Sequence, residues 1–254
     1  MPTVRSAPLA TRGIVRAMFA GPIRSLRSPR EPAGSATSWR SAILKAPVTS
    51  AEVHVLGLVG DAQKETKHHG GPVKAVLVYA AAHYPALWDG LLRPHAVSHA
   101  ATLRAMAAEV DASTYTFGAF GENLTVDGLV EDTVCLGDVW RIGSCELQIT
   151  EPRGPCATLA RRWLRPALRH EVHQSAAAGW YNAVRHSGTI TVGDDAVLLS
   201  RVQDEWTMAR VYRLEHERVV SRRDVMALRD APFAGVGLRR NMERRLTVAA
   251  RLRD

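Results

Sequence analysis

The 254-residue chain carries three cysteines, Cys135, Cys145 and Cys156, and no CxxC pair. So few, and an odd number, exclude the disulfide framework of a small secreted domain, and the missing pair argues against a structural zinc site built on cysteines. No run of about 18 apolar residues occurs, which excludes a transmembrane helix. There is no GxxxxGK[ST] loop and no dinucleotide fingerprint. Lysine is scarce: Lys45, Lys64, Lys67 and Lys74 are the only four, against 29 arginines, and all lie within one thirty-residue stretch. Either the chain simply prefers arginine, or that stretch holds a site needing a compact ammonium rather than a planar fork.

What is present describes an ordinary globular protein. Apolar residues make up 46% and charged residues 23%, which excludes disorder as the dominant state. The length suits one large domain, or one domain with a small appendage. The net charge of +8 leaves room for nucleic acid, anionic lipid or a small anionic ligand as partner.

Residues 1–30 hold six arginines and no acid, a composition shared with mitochondrial transit peptides. Residues 13–19 nevertheless read as a buried first strand, and residues 1–10 as a loose tail. Residues 31–38 read as a surface loop. Further strands are expected over 41–45, 51–56, 74–79, 122–126, 134–142, 146–150, 188–192 and 196–202, and helices over 83–88, 97–110, 156–165 and 174–185. Many short strands with interspersed helices predict a mostly β, α+β fold: a β-barrel core with helical insertions. The texture changes near residue 205. Residues 205–254 have helical periodicity and carry +5 of the +8, so a small C-terminal bundle of three helices is expected there. The expected parts are 1–40 (tail and first barrel strand), 41–204 (barrel) and 205–254 (helices).

Three stretches have the residue types of a site. His68-His69-Gly70-Gly71-Pro72-Val73-Lys74 combines a flexible glycine pair with donors suited to phosphate or carboxylate, and also fits a glycine turn entering a buried strand. Phe120-Gly121-Glu122-Asn123-Leu124 places a polar pair at a strand start, where a β-bulge with a solvated Glu fits equally well. Glu151-Pro152-Arg153-Gly154-Pro155-Cys156 stiffens the approach to a cysteine at an expected helix start. That cysteine suits a nucleophile, a soft metal ligand or an inert buried thiol.

Taken in order and spacing, these stretches resemble the MOSC domain, named after the C-terminal domain of molybdenum cofactor sulfurases, and within it the YiiM-like branch. Gly57-Leu58-Val59-Gly60-Asp61, His83-Tyr84, Val134-Cys135-Leu136-Gly137-Asp138 and Trp206-Thr207-Met208-Ala209-Arg210 also match. The resemblance covers about residues 41–250. It implies that the cofactor is the molybdenum cofactor (Mo-molybdopterin) and that Cys156 is the protein ligand to molybdenum. It implies a pocket for the pterin and its phosphate, with Lys45, His69, Gly70, Gly71, Lys74, Asn123 and Arg153 around them. It implies reduction of N-hydroxylated compounds such as hydroxylamino purines, R–NH–OH + 2e⁻ + 2H⁺ giving R–NH2 + H2O. Cys156, Glu122 and His69 are the candidate catalytic residues, the last two as proton relays. The alternative is a carrier that binds the cofactor without turnover. One departure stands out: mitochondrial relatives have an arginine where this chain has Gly121.

Three cysteines cannot ligate an iron–sulfur cluster of the four-cysteine kind, so electrons are expected from a separate flavin or iron–sulfur protein. The arginines of residues 239–245 read as a solvated helix face or as a docking surface for that donor. Few aromatics accompany them, which argues against nucleic acid. A pyridoxal phosphate enzyme is rejected on length. A cytoplasmic location, no membrane contact and a homodimer through the helices are the remaining expectations.

Overall fold

The computed structural model describes residues 8–27, 38–85, 117–162, 168–217 and 219–251. The helix expected over 97–110 lies outside them, as do most of the loop expected over 31–38 and most of the N-terminal tail. Seven strands close into a ring: β1 (Arg12–Ala20), β2 (Val76–Ala80), β3 (Leu124–Asp127), β4 (Val139–Ile142), β5 (Cys145–Pro152), β6 (Trp180–His186) and β7 (Asp195–Ser200). Around the ring the order is β1-β3-β2-β6-β5-β4-β7, and β7 returns to β1 with Val197 opposite Arg12. Every pairing is antiparallel except β2 with β3. Closure leaves no free edge along the barrel.

The strands follow from their side chains. In β1, Val15 points inward while Arg12 and Arg16 face solvent and pair with Asp195 and Asp127. β2 is buried at all five positions, as its continuous apolar run predicts. Six helices are described: α1 (Thr66–His69), α2 (Ala157–Arg162), α3 (Leu168–Ser175), α4 (Met208–His216), α5 (Arg222–Asp230) and α6 (Val236–Arg251). Thr207 and Ser221 cap α4 and α5 with their side-chain oxygens.

Three expectations need correction. Residues 174–185 are not a helix: α3 ends at Ser175, Ala176 turns the chain at φ 57°, and β6 begins at Trp180. The apolar residues there mimic helical spacing, but Trp180, Tyr181 and Asn182 are buried between β5 and β2, whose open edges require a strand. Residues 134–142 are a strand only from Val139. The first half is a turn held by the Asp138 carboxylate, which accepts from the Cys135 amide at 2.9 Å and pairs with Arg201. The strand expected over 41–45 instead ends at Ser41, in a hairpin of Arg24–Arg27 with Ser38–Ser41.

One apolar cluster fills the barrel around Trp140, Leu147, Ile149 and Trp180 and continues without a break into Met208, Val211, Leu228, Leu238 and Met242 of the C-terminal helices. A second, with Tyr79, Tyr84, Phe120, Leu159 and Tyr212, lies under the loops beside α2 and α3 and reaches Cys156.

Glu215 on α4 accepts a hydrogen bond from Asn241 on α6 at 2.5 Å. Burial, reinforced by Glu151, pushes its carboxyl up to about 7 against the pull of Asn241, Lys74 and Arg245. Between its ordinary value and about 7 the folded state holds the extra proton, so stability falls as pH rises through that window. Glu215 is partly screened from solvent, and we expect a loss of ~1–2 kcal/mol between pH ~5 and ~8. Glu215→Gln should abolish that slope in urea unfolding measured across the range; an unchanged slope would contradict this account.

Candidate functional site

The chemistry-bearing residues meet at a cavity of about 300 Å³ at one end of the barrel. Cys156, His69, Arg153, Lys45, Lys74 and Asn123 all line it. They come from the loop before α2, the end of α1, the loop after β5, the segment before the short strand Ala46–Val48, the turn before β2, and the start of β3.

Cys156 follows the stiff Pro152-Arg153-Gly154-Pro155 segment and is partly buried. Burial pushes its thiol up, but a hydrogen bond from His69, the charges of Arg153 and His69 and the Leu159 amide outweigh it and bring the thiol down to about 6. At neutral pH Cys156 is therefore mostly thiolate. At Cys135 and Cys145 burial first, then nearby carboxylates, push the thiols up to about 11, opposed only at Cys135 by the charge of Arg201. His69 Nδ1 lies 3.0 Å from the Tyr181 hydroxyl. Burial raises Tyr181 to about 12, so it stays a neutral hydroxyl that orients the imidazole.

Three cations of the wall, Lys45, Lys74 and Arg153, are compensated to different degrees. Lys45 forms an ion pair with Asp61, their side chains 6% and 1% exposed. Burial lowers the Lys45 ammonium and Asp61 raises it again. Asp61 also accepts from Asn123 Nδ2 at 2.9 Å, from the Gly21 amide at 3.1 Å and from Gln63 Nε2 at 3.3 Å. Lys74 pairs with Glu151 at 2.8 Å. Arg153 is buried and has no acidic partner among the described residues. Its Nη2 donates to the Phe120 carbonyl, while Nε and Nη1 have no hydrogen-bond partner. A buried guanidinium left unpaired is costly, and a cavity beside it is a place for an anion.

Glu122, a candidate relay from sequence, is elsewhere. It is fully buried, outside the cavity lining, and its oxygens accept from Tyr84, Thr125 and the amides of Gly118 and Phe120. With four donors converging on it, Glu122 anchors the loop from outside the cavity lining. Gly70 and Gly71 also do not line the cavity; Gly71, at φ 87°, turns the chain between α1 and Lys74. Asn123 is spent on structure as well, accepting from the Leu77 amide at 3.0 Å and donating to Asp61. Gly121 lies against Ile43: a Cβ there would be 2.9 Å from Ile43 Cγ1, at a φ of 75° that suits glycine. No long side chain fits at that position without moving the wall. Among the described residues no group of three His, Cys, Asp or Glu is placed to hold a metal ion by itself.

A family model described as the MOSC domain matches residues 65–197, just over half of the chain. The chain belongs to the MOSC domain family. MOSC domains are of the molybdenum cofactor sulfurase C-terminal type, which associates this MOSC protein with the molybdenum cofactor. Its curated relatives include the uncharacterized protein YflK of Bacillus subtilis (38% identical over 160 residues, 63% of each chain). Protein YiiM of Escherichia coli is 33% identical over 149 residues, 59% of each chain. A protein of Gibberella moniliformis named "Reductase" is 31% identical over 166 residues, 65% of this chain and 26% of that one. The chain thus spans less than two thirds of the length of each. The crystal structure of YiiM from Geobacillus stearothermophilus superposes with a TM-score of 0.68 at 24% identity, covering 92% of this chain and 99% of that one. That of YiiM from Escherichia coli gives 0.69 at 22%, covering 94% of both. These likenesses establish the fold. No helix among the described residues is long and apolar enough to cross a membrane.

The arginines of residues 239–245 are partly used inside the fold. Arg239 donates to the carbonyls of Arg229, Ala231 and Ala234, and Arg245 to those of Glu215 and Glu217. They tie the C-terminal helices together, which leaves less of the run as a surface for partners.

Proposed function

We propose that the cavity holds the molybdenum cofactor, with Cys156 as thiolate ligand to molybdenum, and that the MOSC protein reduces N-hydroxylated compounds such as hydroxylamino purines to amines. The observation that carries this reading is the pairing of a low-pKa cysteine with a buried guanidinium that has no acidic partner among the described residues, in one cavity. A soft thiolate suits a metal held by dithiolene sulfurs, and Arg153 with Lys74 suits the anionic parts of a pterin phosphate. When bound, the cofactor supplies the two-electron chemistry and an acceptor for oxygen. The reductase name carried by a relative agrees with such a reaction.

The chain's own residues do the rest. Arg153 and Lys74 bind and orient anionic groups from the wall. Lys45 is held on the wall by Asp61. His69 lies on the cavity wall, hydrogen-bonded to the Cys156 sulfur and to the Tyr181 hydroxyl, and so is placed to relay a proton to a leaving hydroxyl. The electrons would be supplied by a flavin or iron–sulfur centre outside the residues that line this cavity.

The test is molybdenum and pterin content of protein from a cofactor-competent host, followed by turnover of hydroxylamino purines with a chemical electron donor. Near-stoichiometric molybdenum with amine formation is expected. Molybdenum without turnover, and its transfer to an apo-acceptor enzyme, would replace the reductase with a carrier. Absence of both metal and pterin after loading in vitro would overturn the cofactor reading.

A further inference from the structure

The cavity wall is joined to the C-terminal helices through one buried ion pair. Lys74 Nζ is 2.8 Å from Glu151 Oε1, with the two side chains 14% and 4% exposed. The other oxygen of Glu151 accepts the Leu238 amide at 2.7 Å. Leu238 is in the first turn of α6, so Glu151, 87 residues away, serves as that helix's N-capping side chain. It takes an N–H that has no partner inside the helix, at the end where the helix dipole favours negative charge. The Gly235 amide donates to the Thr150 carbonyl at 2.9 Å and fixes the helix start to β5.

Two glycines allow this approach. A Cβ on Gly237 would lie 2.5 Å from Glu151 Oε2 and 2.9 Å from Lys74 Nζ, and one on Gly235 would lie 2.7 Å from Glu151 Cδ. Each distance is shorter than a real Cβ contact. The backbone of α6 is thus pressed directly onto the ion pair, and Lys74 Nζ sits 5.2 Å from the centre of the Tyr181 ring at the cavity floor.

We propose that the first turn of α6, acting through Glu151 as a positioning residue, holds the Lys74 ammonium in place on the cavity wall, so that the three C-terminal helices are part of the anion-binding site. This deepens the reading above and rests on its statement that the cavity receives an anionic group. A lysine on a long flexible stem is a poor fixed ligand unless something holds it. Here the strand end and the helix start hold it together.

The test is titration of the full chain with inorganic pyrophosphate, by calorimetry and by the backbone amide signal of Leu238. In the native sequence pyrophosphate should bind and move the Leu238 signal with the same midpoint. Gly237→Ala keeps every charge but crowds the pair, and should weaken binding at least tenfold. Should that variant fail to fold, Glu151→Gln decides. It keeps an acceptor for the Leu238 amide and removes a negative charge. Charge alone then predicts tighter binding, whereas lost positioning predicts binding about tenfold weaker. Unchanged affinity in folded Gly237→Ala, tighter binding in Glu151→Gln, no binding by the native sequence, or a Leu238 signal that ignores saturating pyrophosphate would each overturn the proposal. Neither readout needs molybdenum or turnover, so a failed reductase assay leaves this result standing, and the reverse also holds.

Discussion

Cys156→Ser should reduce molybdenum content from near one per chain to less than about a tenth, with little change in stability. Serine is nearly isosteric and can still hydrogen-bond with His69, so the cost should stay at the ~1 kcal/mol typical of point substitutions. The chemistry changes far more. The native thiol, drawn down to about 6 by its donors, is mostly thiolate at neutral pH, whereas a serine hydroxyl is neutral and hard and does not suit a soft metal. The same contrast is readable without any metal. Iodoacetamide at pH 7 should modify one cysteine of the chain, with a rate that follows an apparent pKa near 6. Cys135 and Cys145, pushed up to about 11, should not react. Molybdenum retained by the serine variant would remove Cys156 as the ligand. Alkylation of Cys156 only above pH ~8 would remove the low-pKa thiolate.

The largest effect on stability is expected at Asp61. Its carboxylate takes hydrogen bonds from Lys45, Asn123, Gln63 and the Gly21 amide, and its side chain is 1% exposed. Asp61→Asn places an amide N–H₂ among those donors and leaves the Lys45 ammonium buried without a counter-charge. Breaking a buried pair from one side costs ~3–5 kcal/mol. For a protein of this size that corresponds to a fall in Tm of roughly 10 °C. The double variant Asp61→Asn/Lys45→Met should recover a good part of the loss, because the stranded charge goes with the lysine. A cost below about 1 kcal/mol for the single variant, in denaturant unfolding, would mean that water reaches the pair.

Legibility in the sequence divided along physical lines. The strands with period-two alternation or a continuous apolar run, β1, β2 and β5, could be placed because burial on one or both faces leaves a mark on residue order. β6 could not, because its side chains answer to β5 and β2 on either side rather than to a local period. The cavity residues His69, Lys74, Arg153 and Cys156 were visible as an ordered series of short motifs. The clustering of lysines in one stretch was also informative: Lys45, Lys64 and Lys74 all border the cavity. Three members of the site carried no usable signal. Tyr181 was hidden in a segment read as helix. Asp61 stood inside a matched motif, but nothing in that motif marks it as the partner of Lys45. Glu151 looked like part of the approach to Cys156, whereas its partners, Lys74 and Leu238, are 77 and 87 residues away. Glu122 failed in the opposite direction, since a polar residue at a strand start resembles a cleft residue until its donors are known.

The barrel closes only when Arg12–Ile14 of β1 pairs with Asp195–Val197 of β7, about 180 residues further along the chain. Such long-range closure comes late in folding. His69 and Arg153 are brought against Cys156 by the same assembled ring. Until then Cys156 is an ordinary thiol with a pKa near 8.5, barely reactive at neutral pH. A nascent or unfolded chain is therefore shielded from oxidants and stray metals at the very atom that the folded chain makes reactive. The thiolate marks completed folding, and on the proposed reading loading with a metal cofactor becomes a step open only to molecules that have already passed that check.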